Sequence, residues 1–275
     1  MTTTAPFISL NDGNQIPQLG LGVWQASPEQ TTMAVREALL AGYRHIDTAA
    51  IYGNEAGVGA GFRESALPRE AVFITTKVWN DAQGKMLTRQ ALQQSLERLG
   101  LDYVDLLLIH WPVPHRDLFV ETWQTMVELR KEGLIRSIGV SNFTESNLQC
   151  LIDETGVVPV LNQIELHPYL QQSHLRQVHS KLGMLTESWS PLAQNQAISD
   201  QTIARIAAKH GKTPAQVIIR WHLDNGLIVI PKSVTPGRIK ENVNVFNFAL
   251  DAEDMTTMST LNRNQRLGPD PETFG

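Results

Sequence analysis

Eight short apolar runs, each followed by a stretch of helical period, predict an α/β protein built as a single-domain (β/α)8 TIM barrel. Most of these runs lack strict alternation of apolar and polar residues, the pattern of parallel strands covered on both faces. The competing doubly wound sheet needs Gly-x-Gly-x-x-Gly after its first strand. Gly20-Leu21-Gly22 runs on without a third glycine, and Gly57-Val58-Gly59 reaches Phe62 at the third place.

The elements follow in order. An N-terminal hairpin pairs Phe7–Leu10 with Gln15–Ile16 across Asn-Asp-Gly at 11–13. Barrel strands are expected at Leu19–Gly22, Tyr43–Asp47, Val72–Lys77, Asp105–His110, Ser137–Val140, Leu161–Glu165, Met184–Ser188 and Leu227–Pro231. Amphipathic helices fall at Pro28–Leu40, Gly57–Glu64, Arg89–Leu99, Phe119–Lys131, Glu145–Glu154, Gln171–Lys181, Gln201–Lys209 and Pro214–Asp224. Gly42, Gly100, Gly133, Gly183 and Gly211 stand where helices should stop. Two extra C-terminal helices are expected at Pro236–Asn244 and Ala252–Leu261. The tail from Arg266 to Gly275 reads as an irregular arm on the surface. No domain boundary appears, so residues 1–275 are expected to form one domain.

Of the 275 residues, 42% are hydrophobic and 19% charged, enough apolar material for one large core. A net charge of −5 without a basic stripe argues against a nucleic-acid partner. The N-terminus lacks the basic start and apolar stretch of a signal peptide, and charges interrupt every apolar segment before it could span a bilayer. The single cysteine, Cys150, excludes an internal disulfide and suits a reducing compartment. A cytoplasmic protein without a membrane partner is expected, with monomer as the default state.

Chemistry gathers at strand ends. Asp47, Tyr52, Lys77 and His110 each lie at or just beyond the end of a predicted strand, where a barrel collects its functional groups. A tyrosine is a poor acid, with a pKa near ~10. A cation within about 4–6 Å stabilises the phenolate and makes the hydroxyl a better proton donor. Lys77 would supply that charge, Asp47 would anchor it, and His110 would orient a carbonyl oxygen. Alone, each residue is more simply a surface or core side chain; their arrival at consecutive strand ends is what points to a site.

Asp47–Glu55, Ile74–Trp79, His110–Pro112, Gly139–Phe143, Asn162–Tyr169 and Ile230–Asn242 resemble, in order, the signatures of the aldo-keto reductase family. The ending from Leu267 to Gly275 and the motif set look most like its bacterial 2,5-diketo-D-gluconate reductases. The resemblance implies NADPH-dependent reduction of aldehydes and ketones, with Tyr52 as proton donor, Asp47 as lysine anchor, Lys77 as pKa modifier and His110 as carbonyl orienter. It further implies a keto-sugar acid as substrate, with methylglyoxal or a β-keto ester as the alternative.

The segment Ile230–Arg238 ends the last strand and opens a helix, with Thr235 as expected N-cap and Pro236 at the first helical position. Arg238 then stands in the first turn, where a cation opposes the helix dipole by about 0.3–1 kcal/mol. An anion at that turn removes the conflict. With NADPH as cofactor, Lys232, Ser233, Thr235 and Arg238 are expected around the adenosine 2′-phosphate, with Val234 among them as a further cofactor-binding residue. The resemblance adds Glu241 and Asn242 for adenine, Ser141, Asn142 and Gln163 for the carboxamide, Trp189 to stack on the nicotinamide, and Ser190 and Leu192 along the pyrophosphate.

Trp24, Trp79 and Trp111 follow strand ends and are expected to wall the substrate pocket, whereas Trp123 and Trp221 fall within helical patterns and are expected in the core. The loop after His110 is short, reaching a helix by about Leu118, which predicts an open site. Gly139-Val-Ser141-Asn-Phe143 lacks the second glycine of a nucleophile elbow. His174 and His179 are badly spaced for a shared metal, and no metal is expected. His45 and His167 read as core hydrogen-bonding residues. Two rival functions remain: a lyase or aldolase with Lys77 as Schiff-base nucleophile, and a non-catalytic NADPH sensor.

Overall fold

The computed structural model describes residues 5–275. An antiparallel hairpin, β1 (Phe7–Ser9) and β2 (Gln15–Pro17), precedes eight parallel strands that neighbour one another in sequence order: β3 (Leu21–Gly22), β4 (His45–Asp47), β5 (Phe73–Val78), β6 (Val104–Ile109), β7 (Ile135–Ser141), β8 (Leu161–Glu165), β9 (Leu185–Trp189) and β10 (Ile228–Val229). The sheet closes on itself. Leu19 bridges Val229 and Gly22 bridges Lys232, with Gly20 N donating to Val229 O at 2.9 Å and Val229 N to Gln18 O at 3.0 Å. This is the expected (β/α)8 barrel.

Helices α1 (Pro28–Leu40), α2 (Glu55–Glu64), α3 (Lys85–Leu99), α4 (Phe119–Lys131), α5 (Glu145–Thr155) and α6 (Ser173–Lys181) each link consecutive strands from β3 to β9. Both α7 (Gln201–His210) and α8 (Pro214–Asp224) lie between β9 and β10, and the two extra helices α9 (Pro236–Val243) and α10 (Ala252–Ser259) follow. Local chemistry starts them: Ser27, Thr144, Thr213 and Asp251 each close a capping box.

Three helix starts differ from expectation, α6 beginning at Ser173, two residues late. Helix α2 begins at Glu55, two residues early, and its glycines are packing residues. A Cβ on Gly59 would sit 2.0 Å from Leu99 O and one on Gly57 2.4 Å from Pro28 O, so α1 and α3 approach α2 more closely than any larger residue allows. Helix α3 begins at Lys85, four residues early, directly after Gly84 at φ +98°.

Side chains along each strand alternate between the barrel interior and the helix shell. Trp123 and Trp221 are buried as expected, each among apolar side chains of the helix shell. Inside, Phe73, Leu106, Leu108, Leu161 and Ile228 meet Ile16 of the hairpin, which plugs the N-terminal end. Asn11 Nδ2 donates to Pro159 O (3.0 Å) and Asn14 Nδ2 to Ser137 Oγ (3.0 Å), fastening that plug. The same inward rows continue upward as Lys77, His110, Gln163 and Glu187. The interior is apolar below and polar above.

Candidate active site

Strand register sets the heights of the site residues. Asp47 stands opposite Thr75, so Lys77 lies two residues further along β5; Lys77 stands opposite Leu108, so His110 lies two further along β6. Ser141 pairs with Gln163, and Gln163 with Glu187. On the other side Gly22 is flanked by Asp47 and Lys232, which puts the start of the α9 segment level with the tetrad, one strand away.

Lys77 is fully buried and donates to Asp47 Oδ1 (2.6 Å) and Thr48 O (2.9 Å). Burial works against its charge, but Asp47 first, then Tyr52 and Glu187, outweigh it and raise its pKa. The ammonium lies 5.3 Å from the Tyr52 ring centroid, and the Tyr52 and His110 rings are 5.7 Å apart. The tetrad is therefore one cluster. Burial, reinforced by Lys77, holds the His110 pKa well below the usual histidine range, so its imidazole is neutral.

The phenol departs from expectation. Lys77 does pull the Tyr52 pKa down, but burial pushes it up by more, and Asp47 and Glu187 push the same way. The net direction is upward. The hydroxyl stays protonated at neutral pH, and the Lys77 ammonium offsets part of the rise.

Gln163 Nε2 spends both protons inward, on Asp47 Oδ2 (2.7 Å) and Glu187 Oε2 (3.0 Å). Ser141 Oγ donates to Gln163 O (2.8 Å), and Asn142, at φ +62°, donates from Nδ2 to His110 O (3.0 Å) while its Oδ1 accepts from Trp189 Nε1 (2.8 Å). The three residues expected at a carboxamide thus adjoin the tetrad, tied to Trp189. Beyond Trp189 the backbone is strained: Ser190, Ala193, Gln194 and Asn195 all have positive φ, while Leu192 between them keeps φ −90°.

At α9 the expected N-cap is only half realised. Thr235 takes the N-cap position, but its hydroxyl accepts no amide; instead Thr235 N donates to Ser233 Oγ (3.2 Å). Lys232 and Arg238 are exposed, and neither pairs with a carboxylate among the described residues. The first turn of α9 is thus uncapped and flanked by two unpaired cations, with Val234 half-buried between them and the barrel. Glu241 Oε1 accepts from Thr213 Oγ1 (2.7 Å), an attachment not foreseen for an adenine contact, and Asn242 is buried.

Trp79 packs edge-on to His110 (4.9 Å), and Trp111 stacks beside it (6.4 Å). Trp24 is exposed on the loop after β3, outside these ring contacts. The C-terminal tail corrects the sequence reading. It crosses the rim: Leu267 N and Gly268 N donate to the buried Glu165 carboxylate (2.7 and 3.0 Å), and Phe274 lies 4.5 Å from Trp111 and 6.2 Å from Trp79. A lone phenylalanine in a polar terminus signals that the tail makes some contact, but not which one. Glu165 and Glu187 were also missed, although a carboxylate at an inward position of a barrel strand marks a buried polar network.

His45 and His167 are held by hydrogen bonds, to Thr75 Oγ1 (3.1 Å) and to Glu165 (3.0 Å) respectively. Among the described residues no group of three metal-ligating side chains converges, and no helix is long and apolar enough to cross a membrane.

The sequence pattern of the Aldo/keto reductase family matches residues 17–263. The chain belongs to that family. It is 57% identical over 270 residues to the methylglyoxal reductase DkgA of Escherichia coli K12, and 55% identical to an aldo-keto reductase of Mycobacterium sp. strain KMS, covering 98% of each chain in both cases. Among solved structures, Gox0644 in its apoform superposes with a TM-score of 0.95 at 50% identity, each chain covered to 99%. A mutant of Gox0644 in complex with NADPH gives the same values. The Bombyx mori aldo-keto reductase in complex with NADP gives 0.91 at 38% identity over 98% of this reductase and 96% of that chain.

Proposed function

We propose that this aldo-keto reductase reduces aldehyde and ketone carbonyls with NADPH, and that its substrates are short dicarbonyls of the methylglyoxal type. The observation that carries the reading is the buried Asp47–Lys77 pair set under Tyr52 and His110.

NADPH, when bound, supplies a hydride to the carbonyl carbon. Its fit rests on the uncapped first turn of α9 with Lys232 and Arg238 unpaired beside it, a site built for an anion and here assigned to the 2′-phosphate. Ser141, Asn142 and Gln163 would hold the carboxamide, Trp189 would stack on the ring, Ser190 and Leu192 would follow the pyrophosphate, and Glu241 and Asn242 would meet adenine.

The Tyr52 hydroxyl gives its proton to the carbonyl oxygen, and Lys77 stabilises the phenolate that remains. Asp47 and Thr48 O hold the ammonium in place. His110, kept neutral, is a hydrogen-bond donor to the same oxygen and a poor proton source; the division of roles follows from the two environments.

Trp79, Trp111 and Phe274 narrow the approach, which favours a small substrate over a bulky one. The relatives named as methylglyoxal reductases support the same choice. A keto-sugar acid such as 2,5-diketo-D-gluconate is the second candidate. An aldolase reading fits poorly, since Lys77 is held as an ammonium by Asp47 and lacks the free lone pair of a Schiff-base nucleophile. The test is NADPH oxidation against methylglyoxal, β-keto esters and 2,5-diketo-D-gluconate. A higher kcat/KM for the keto-sugar acid overturns the substrate choice, and no NADPH oxidation with any of them overturns the reading.

A further inference from the structure

Glu187 is a buried carboxyl that the mechanism above does not use. It sits on β9 beside Gln163 of β8, fully enclosed, with Oε1 free of any hydrogen-bond partner and 3.7 Å from His45 Nε2. Its other oxygen accepts from the same Gln163 nitrogen that donates to Asp47. An amide nitrogen has two protons. With both committed inward, Gln163 can turn only its Oε1 toward the cleft.

We propose that Glu187 is a positioning residue: together with Asp47 it locks the Gln163 amide in the orientation that presents an acceptor to the nicotinamide carboxamide, and it does so as a neutral acid, leaving Asp47 the sole anion facing Lys77. The inference rests on the roles proposed for Tyr52, Lys77 and Gln163.

The surroundings favour neutrality. The titratable groups facing Glu187 are Asp47 and His45 on β4, Lys77 on β5 and Tyr52 beyond it. His45 is uncharged, since burial and Lys77 press its pKa down to about 3. Lys77 is already paired. A second carboxylate would therefore share one ammonium with Asp47, and burial, then Asp47, push the Glu187 pKa up to about 8. Above that value the acid loses its proton to solvent, a second negative charge appears, and both Tyr52 and Lys77 are driven to higher pKa. The phenol becomes a worse donor, so turnover should begin to fall near pH 8 for a reason that does not lie in Tyr52 itself.

The test compares kcat and the KM for NADPH across pH in the wild type, Glu187→Gln and Glu187→Leu, with Tyr52→Phe as control. Glutamine keeps the acceptor and cannot ionise, so the decline in kcat should move about one pH unit upward or more. Leucine removes the acceptor, and the KM for NADPH should rise about tenfold at neutral pH, with glutamine restoring it. Infrared spectroscopy adds a readout that does not depend on turnover: the wild type should show a protonated-carboxyl band that fades above about pH 8 and is missing from Glu187→Gln. Superimposable pH profiles for wild type and Glu187→Gln, or no such band, overturn the proposal. Full turnover in Tyr52→Phe instead overturns the donor reading beneath it, a separate outcome.

Discussion

Lys77 Nζ lies 2.6 Å from Asp47 Oδ1 with both side chains buried, an ion pair closed off from water at the centre of the barrel. Breaking such a pair from one side leaves a buried charge uncompensated, at about 3–5 kcal/mol. Asp47→Asn should therefore lower unfolding free energy by roughly that amount at neutral pH, and lower kcat as well. Urea denaturation checks the first part. A change under about 1 kcal/mol would mean that Thr48 O and the phenol suffice to hold the ammonium.

Arg238 is the cation assigned to the 2′-phosphate. A hydrogen bond between charged partners contributes about 1.5–3 kcal/mol, so Arg238→Ala should raise the KM for NADPH about 10- to 100-fold. The KM for NADH should barely move. Equal losses for the two dinucleotides would remove Arg238 from the phosphate site.

Phe274 rests on Trp111 and Trp79, which sets the tail against the approach proposed for the substrate. Phe274→Ala should raise the KM for methylglyoxal several-fold while admitting bulkier ketones. Steady-state kinetics on a size series measures both. Uniform kinetics across the series would return the tail to the surface.

His179 lies between Thr186 Oγ1 (2.8 Å from Nδ1) and Asn162 Nδ2 (3.0 Å from Nε2). The amide donates, so Nε2 accepts and Nδ1 carries the proton: the ring is neutral. Burial lowers its pKa to about 4, and that of His222 likewise. A depressed histidine contributes stability above its unfolded value near ~6.5 that is lost as pH falls through the folded value. Unfolding free energy should thus decline by a few kcal/mol from about pH 6.5 to about pH 4. In His179→Gln the slope over that window should be shallower, as read from urea midpoints at stepped pH.

Much of this was legible in the chain. Apolar runs without alternation gave eight parallel strands, and the tetrad stood out because polar residues ended those runs. What stayed hidden was tertiary. Gly57 and Gly59 fall inside a helical stretch that gives no sign of how closely they let α2 press against its neighbours. Glu187 looked like one polar residue in Leu-Thr-Glu-Ser-Trp, because its meaning depends on Gln163 lying one strand away. Phe274 gave no sign of where it packs, since a tail without periodicity carries no direction. The rise of the Tyr52 pKa was illegible for a similar reason: enclosure is a property of the closed barrel.

The most direct measurement is single-turnover reduction of methylglyoxal by Tyr52→Phe, with NADPH binding followed by fluorescence in the same samples. General acid catalysis contributes about 10²–10⁴-fold, so hydride transfer should slow by that factor while NADPH affinity stays near wild type. A variant that transfers hydride at the wild-type rate would contradict the assignment of the phenol as proton donor.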